Sequence, residues 1–298
     1  MDATSRDIMS EISATKKEEP CDRHCDTCAK RNTCADVDAM KASSRMSRIK
    51  HKILVGSGKG GTGKSTIAAN LAVDLKRKGY RVGLLDADIT GPDIPKLLGI
   101  EDLRLHSGPE GIEPADADGI KVVSTALLLK KKDSAVVWRG PKKAAAIRQF
   151  LCDVNWGDLD FLIVDLPPGT SDEPMSVVNL MPDISGAIVV TTPQGVALLD
   201  SRKAVNMFLA MEVPVLGIIE NMSGLTCPHC KERIEIFKSE NGESAAGELG
   251  VNFLGAIPMV PEVGSLADRG VAFTGRGTDA EEAFDAIVSK VLEKLSAL

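Results

Sequence analysis

The run Gly58-Lys59-Gly60-Gly61-Thr62-Gly63-Lys64-Ser65 has the residue types and spacing needed to hold a chain of phosphates. Glycines let backbone N–H groups turn inward around anionic oxygens, and a helix starting where the loop ends adds the positive end of its dipole. Lys64 would pair with β- and γ-phosphates, the Ser65 hydroxyl would ligate Mg²⁺, and Thr66 completes the run of candidate nucleotide contacts. Carboxylates form a second set. Asp165 closes an apolar run, a position suited to holding Mg²⁺ through water, while Asp86 and Asp88 occupy alternate positions at the end of another. Thiols form the third. Cys227-Pro228-His229-Cys230 sets two thiolates side by side on a turn, and Cys21-x3-Cys25-x2-Cys28-x5-Cys34 sets four within reach of one centre. Iron and zinc generally take four ligands, so Cys227 and Cys230 are half a site, whereas the N-terminal four could surround a cluster.

The elements around these residues fit that chemistry. Ile53-Leu54-Val55 is a short apolar run leading into the glycines, and Ile67, Leu71 and Leu75 then recur at helical spacing over residues 64–78. Strand, glycine loop and helix in that order are the context that makes the loop a Walker A pattern. Further apolar runs span residues 81–85, ending at Asp86-Ala87-Asp88, and 161–164, ending at Asp165. Others span 187–190, followed by Thr191-Thr192-Pro193 and a helix over 196–209, then 213–219, ending at Glu220-Asn221, and 253–257. Short, uniformly apolar strands alternating with helices predict an α/β fold, a doubly wound and mostly parallel sheet covered on both faces. Ligands of such sheets gather at the carboxyl ends of the strands, where these polar residues fall. The first 50 residues are charged, poor in large apolar side chains and aperiodic. They are read as a Cys-rich, flexible segment ordered only by a metal, ahead of an ATPase domain over 51–298.

Composition narrows the functions. With 42 acidic and 36 basic side chains the net charge is −6, which gives no reason to expect nucleic acid as a partner. No apolar run is long enough to span a bilayer, and the polar first 20 residues lack a signal core, so the protein is expected in the cytoplasm. That compartment keeps thiols reduced, which turns clustered cysteines toward metal and away from disulfides. The isolated Cys152, next to Phe150, Leu151 and Val154, reads as a small buried hydrophobe.

Lys59, directly after the first glycine, resembles the deviant Walker A of the MinD, ParA, ArsA and nitrogenase iron-protein superfamily. The resemblance implies a homodimer in which this lysine reaches the partner's nucleotide as an arginine finger would, placing charge on the transition state. By the same likeness Asp88 orients the attacking water. Asp86 reads as a structural residue that caps or hydrogen-bonds its loop, and Asp93 lies nearby, equally readable as a neighbour of the site or as a plain turn residue. Asp86-Ala87-Asp88-Ile89-Thr90-Gly91-Pro92-Asp93-Ile94-Pro95, Asp165-Leu166-Pro167-Pro168-Gly169-Thr170-Ser171-Asp172-Glu173, Thr192-Pro193-Gln194 and Glu220-Asn221-Met222-Ser223 are similar to blocks of the Mrp/ApbC family of iron–sulfur cluster carriers. That likeness covers roughly residues 50–298 and implies ATP hydrolysis, an adenine contact from Asn221, and a 4Fe–4S cluster bridging two protomers through Cys227 and Cys230. It also implies delivery to apo iron–sulfur proteins. Cys25-x2-Cys28-x5-Cys34 resembles the N-terminal motif of the family's eukaryotic cytosolic scaffolds, where a longer gap precedes the second cysteine, so Cys21 is the departure.

Other readings stay open at this point. Cys-Pro-x-Cys turns also occur in zinc knuckles, and the N-terminal four could hold zinc, follow the radical-SAM spacing or remain unliganded. A nitrogenase-like electron donor and a ParA- or MinD-type positioning ATPase with structural zinc are the rival functions. The amphipathic C-terminal helix, over 281–298, carries only two basic residues, Lys290 and Lys294, on its polar side. It is expected to dock on its own core and not on a membrane.

Overall fold

The computed structural model describes residues 35–129, 138, 140–170, 172–227, 229–230, 232–237 and 242–297. The four N-terminal cysteines lie outside the described residues. Residues 39–298 make one compact unit.

Its centre is a nine-stranded sheet. Parallel strands β1 (Ile49–Gly56), β2 (Val82–Asp86), β6 (Ile120–Val123), β7 (Leu159–Asp165), β8 (Gly186–Thr191), β9 (Val215–Thr226) and β11 (Phe253–Met259) form its body. Two short antiparallel strands, β5 (Ala115–Ala117) and β10 (Arg233–Ile234), attach to β6 and β9. The order is β10-β9-β8-β1-β7-β2-β6-β5, with β11 also on β9. A separate hairpin joins β3 (His106–Gly108) to β4 (Gly111–Glu113). This is the doubly wound, mostly parallel α/β sheet expected.

The uniform apolarity of the strands follows from burial on both faces. Ile53 and Val55 belong to one core, with Ile67, Leu71 and Leu75 of α2 (Lys64–Arg77) and the apolar face of α9 (Asp279–Ser296). Leu54, between them, belongs to the other core. There it joins Phe150 of α4 (Gly140–Cys152) and Phe208 of α6 (Gly195–Ala210). Period-2 side chains thus reach two dry layers, and an alternating polar pattern would fail. Cys152 is buried at the end of α4, as its neighbours predicted.

The C-terminal helix α9 docks on this core. Phe284, Ile287, Val288, Val291 and Leu295 are buried, each contributing roughly 1.5–3 kcal/mol as an upper bound. Thr278 caps its start by accepting from Glu281 N at 3.2 Å. The Glu281 carboxylate in turn accepts backbone N–H groups of Gly275, Arg276 and Gly277 and pairs with Arg77. Burial pushes its pKa up, but those donors win and hold it at about 2.

The structure adds an element ahead of residue 51. A helix, α1 (Ala35–Met46), precedes β1, and Ala42, Met46 and Ile49 are buried. Lys52, itself buried in β1, donates to the carbonyls of Met46 and Ile49 at 3.4 and 3.3 Å and so ties down the turn between helix and strand. Burial lowers the Lys52 pKa.

Candidate nucleotide and thiol sites

Residues 57–63 leave the carboxyl end of β1 and hand over to α2 at Gly63, whose φ of 81° is left-handed. Glycine is required there on two counts. Only glycine takes that φ without strain, and an added Cβ would collide with Asn221 Nδ2. The open side of the loop faces a cleft of about 340 Å³ bordered by Lys59, Thr62, Lys64, Ser65, Asp88 and Pro168. Loop amides, a helix N-terminus and two lysines meet in it, which is the equipment for a polyphosphate.

The charges behind the loop are buried. Lys64 Nζ lies 2.5 Å from Asp165 Oδ1 and 3.2 Å from Ser65 Oγ. Asp165 pairs with Asp86 across the β7–β2 ladder, so two carboxylates end adjacent strands side by side. Burial, then the Asp165 charge, pushes the Asp86 pKa well up. Burial also raises Asp165, opposed by the Lys64 ammonium and the Ser65 hydroxyl. The second oxygen of Asp165 is buried without a hydrogen-bond partner. A buried, unsatisfied carboxylate oxygen beside a serine hydroxyl is a donor set that fits a hydrated divalent cation.

The remaining acidic residues divide the work. Asp86 accepts from Ser124 Oγ at 2.9 Å, from Asp88 N at 3.2 Å and from Ile94 N at 3.4 Å, which pins both ends of the loop between β2 and α3 (Ile94–Leu97). Asp88 stands at the cleft, half-buried, and its Oδ1 accepts from Gly91 N at 3.1 Å. Asp93 also lines the cleft, and burial followed by the charge of Asp88 raises its pKa. Its place is on the cleft wall.

Two partners were not foreseen from sequence. Lys59 Nζ donates to Gln194 Oε1 of its own chain at 3.2 Å, and Ser124, directly after β6 on the far side of β2, supports Asp86. Asn221 Nδ2 donates to the Thr62 carbonyl at 2.9 Å, so within this chain it braces the phosphate loop.

At the far end of β9 the setting reverses. Cys227 N donates to the Glu232 carbonyl at 2.9 Å across the hairpin formed with β10, and Cys230 Sγ lies 3.9 Å from a Glu232 carboxylate oxygen. Neither thiol is in a disulfide; Cys227 is half-buried, Cys230 is exposed, and so is His229. Among the described residues no group of three or more His, Cys, Asp or Glu side chains converges to hold a metal. The turn brings two sulfurs within one chain.

Fold and loop together define a nucleotide-binding P-loop protein with the deviant lysine. Residues 48–292 match the family model described as ParA, NUBPL iron-transfer P-loop NTPase, and the chain belongs to that family. It is 48% identical to an iron-sulfur cluster carrier protein of Methanocaldococcus jannaschii, over 92% of this chain and 97% of that one. It is 49% identical to a cytosolic Fe-S cluster assembly factor NUBP2 homolog of Dictyostelium discoideum, over 76% and 88%. A nucleotide-binding protein from Archaeoglobus fulgidus, solved in complex with ADP, superposes with a TM-score of 0.72 at 38% identity, covering 83% of this chain and 96% of that one. The cell division ATPase MinD of Pyrococcus furiosus shares the fold, with a TM-score of 0.60 at 24% identity, over 82% of this chain and 98% of that one. Among the described residues no helix is long and apolar enough to cross a membrane.

Proposed function

We propose that this chain is an ATP-hydrolysing carrier that holds 4Fe–4S clusters and passes them to apo iron–sulfur proteins in the cytosol. The observation that carries the reading is the incomplete thiol turn. Cys227 and Cys230 offer half of a four-sulfur cage at an exposed hairpin, in a chain that also has a built phosphate loop. Relatives named as cluster carriers, matched over nearly their whole length, support it. A second protomer completes the cage with its own pair, so the cluster bridges a homodimer and is accessible for hand-over. Cys21, Cys25, Cys28 and Cys34 hold a further cluster.

In the nucleotide site Lys64 leaves its pairing with Asp165 to meet the β- and γ-phosphates. Ser65 and Asp165 hold Mg²⁺, which supplies positive charge on the phosphate oxygens. Asp88 orients a water toward the γ-phosphorus; the new P–O bond forms as the bond to the β–γ bridging oxygen breaks, leaving ADP and phosphate. Lys59 exchanges Gln194 for the partner's nucleotide and neutralises charge in the transition state. ATP thereby favours the paired state, and hydrolysis loosens it.

Anaerobic reconstitution with ferrous iron and sulfide tests this. A broad absorbance band near ~400 nm, followed by transfer of the intact cluster to an apo-ferredoxin, is the expected result. A colourless zinc protein would remove the reading, and a cluster that cycles redox state but stays bound would make the chain an electron donor.

A further inference from the structure

Strand β9 touches both sites, and the contacts are made by adjacent residues. The Asn221 carboxamide donates to the Thr62 carbonyl at 2.9 Å. A Cβ added at Gly63 would strike Asn221 Nδ2 and lie 3.9 Å from Met222 Cε, so the Asn221 side chain rests against the last turn of the phosphate loop and the Met222 side chain lies beside it. Glu220, pointing the other way along the pleat, takes the N–H of Gly242, where the chain returns from the thiol hairpin to start α7 (Gly242–Leu249). The excursion that carries Cys227 and Cys230 is therefore anchored at Glu220 on its return and continuous with Asn221 on its departure.

Between Asn221 and Cys227 the strand is irregular. Pairing with β11 jumps from Ile257↔Asn221 to Met259↔Leu225, so β9 has extra residues there and forms a bulge. Met222 has φ of 59° and Gly224 φ of 71°. A left-handed methionine is a strained residue, kept only where its surroundings over-determine it. Here the surroundings are the phosphate loop on one side and β11 on the other. Past the bulge Leu225 pairs with both Met259 and Ile234, and Cys227 N is held by the Glu232 carbonyl, so the strand's end sets where the first thiol stands.

We infer that Asn221 and Met222 are positioning residues that tie the grip of the Cys227–Cys230 turn to the state of the phosphate loop, with the Met222–Gly224 bulge as the joint. The inference rests on the reading of the two thiols as cluster ligands and the loop as an ATP site. Movement of the Thr62–Gly63 backbone on nucleotide binding shifts Asn221 and Met222 directly. Relaxation of the left-handed Met222 toward ordinary strand geometry would supply the second arrangement that a coupling between distant sites requires.

Two measurements test it. In the full-length protein without cluster, hydrogen exchange of the amides of residues 222–227 is compared with and without ADP and Mg²⁺, or a non-hydrolysable ATP analogue. A change of about fivefold or more is expected, in the range typical of allosteric coupling; unchanged exchange overturns the link. In protein reconstituted with ferrous iron and sulfide, the rate of iron loss to a chelator is measured in the same nucleotide states. Wild type should show a nucleotide-dependent rate. Met222→Gly, which removes the strain and the side chain that lies beside the loop, should bring the ratio to within about twofold of one while nucleotide affinity is retained. A wild-type ratio of one, or a Met222→Gly ratio equal to a nucleotide-dependent wild type, overturns the inference. Should Met222→Gly fail to fold, the exchange measurement decides alone. If wild type binds no cluster at Cys227 and Cys230, the carrier reading fails instead, and the exchange result still stands for or against the link.

Discussion

The nucleotide loop and the thiol turn lie on the same sheet and are built on opposite principles. The loop is over-determined: Gly63 is fixed by its φ and by Asn221, Lys64 is buried against Asp165, and Asp86 is satisfied by three donors from two elements. The turn is under-determined. It extends past the end of the sheet, leaves Cys230 exposed, and supplies two sulfurs where a metal centre wants four. Chemistry on phosphate needs preorganised donors held close to their working positions before the nucleotide arrives. Holding a cargo that must leave needs ligands that a partner can complete and then release. The contrast explains how one protein can pair a rigid site with a labile one.

The largest expected effect breaks the two sites apart. Lys64→Ala removes the only ammonium seated against Asp165 among the described residues, and ATPase should fall on the order of 10³-fold or more. Iron bound after reconstitution should stay at the wild-type amount, because no thiol is touched. Steady-state hydrolysis and an iron assay on one preparation check both halves; joint loss would mean the sites are not separable.

Over-determination of the loop is sharpened by Gly63→Ala. A left-handed alanine that also collides with Asn221 should cost about 2–4 kcal/mol of stability, or displace Asn221 and abolish nucleotide binding. Thermal unfolding with and without nucleotide distinguishes those outcomes. A variant as stable as wild type, with normal affinity, would show the loop less constrained than its geometry implies.

A smaller effect concerns the helix that closes the nucleotide-side core. The folded-state pKa of Glu281, about 2, lies below the ordinary 4.5. A carboxylate with a depressed folded pKa stabilises fully above its unfolded pKa, and that stability drains away as pH falls from about 4.5 toward 2. Glu281→Gln should therefore lose about 1–2 kcal/mol at neutral pH, after discount for solvent screening. It should also show a flatter acid limb in denaturant melts between pH 5 and 2. A steep limb identical to wild type would assign the acid sensitivity elsewhere.

Much of this architecture was legible in the residues, and the exceptions have physical reasons. The strands around Ile53, Phe161 and Ala187 are readable because burial on two faces writes an unbroken apolar run. The phosphate loop is readable because glycine spacing and a following helix leave few alternatives. Helix α1 escaped because Ala42 and Met46, one turn apart, are the only two of its described side chains that are buried, too weak a stripe to see. The end of β9 escaped because the apolar run stops at Ile219, and Asn221, Ser223 and Gly224 follow it with polar and small residues. The segment is a bulge that stays in the sheet, paired to β11 on either side. Gln194 as the partner of Lys59, and Ser124 as the support of Asp86, come from elements far along the chain. No local pattern encodes such contacts.

The most direct measurement is the mass and iron content of anaerobically reconstituted protein, wild type beside Cys227→Ala with Cys230→Ala. A shared cluster predicts a dimer in wild type, about two irons per chain more than in the double variant, and a variant that binds nucleotide normally. A wild type that stays monomeric in every nucleotide state, with iron equal to the variant's, would contradict it.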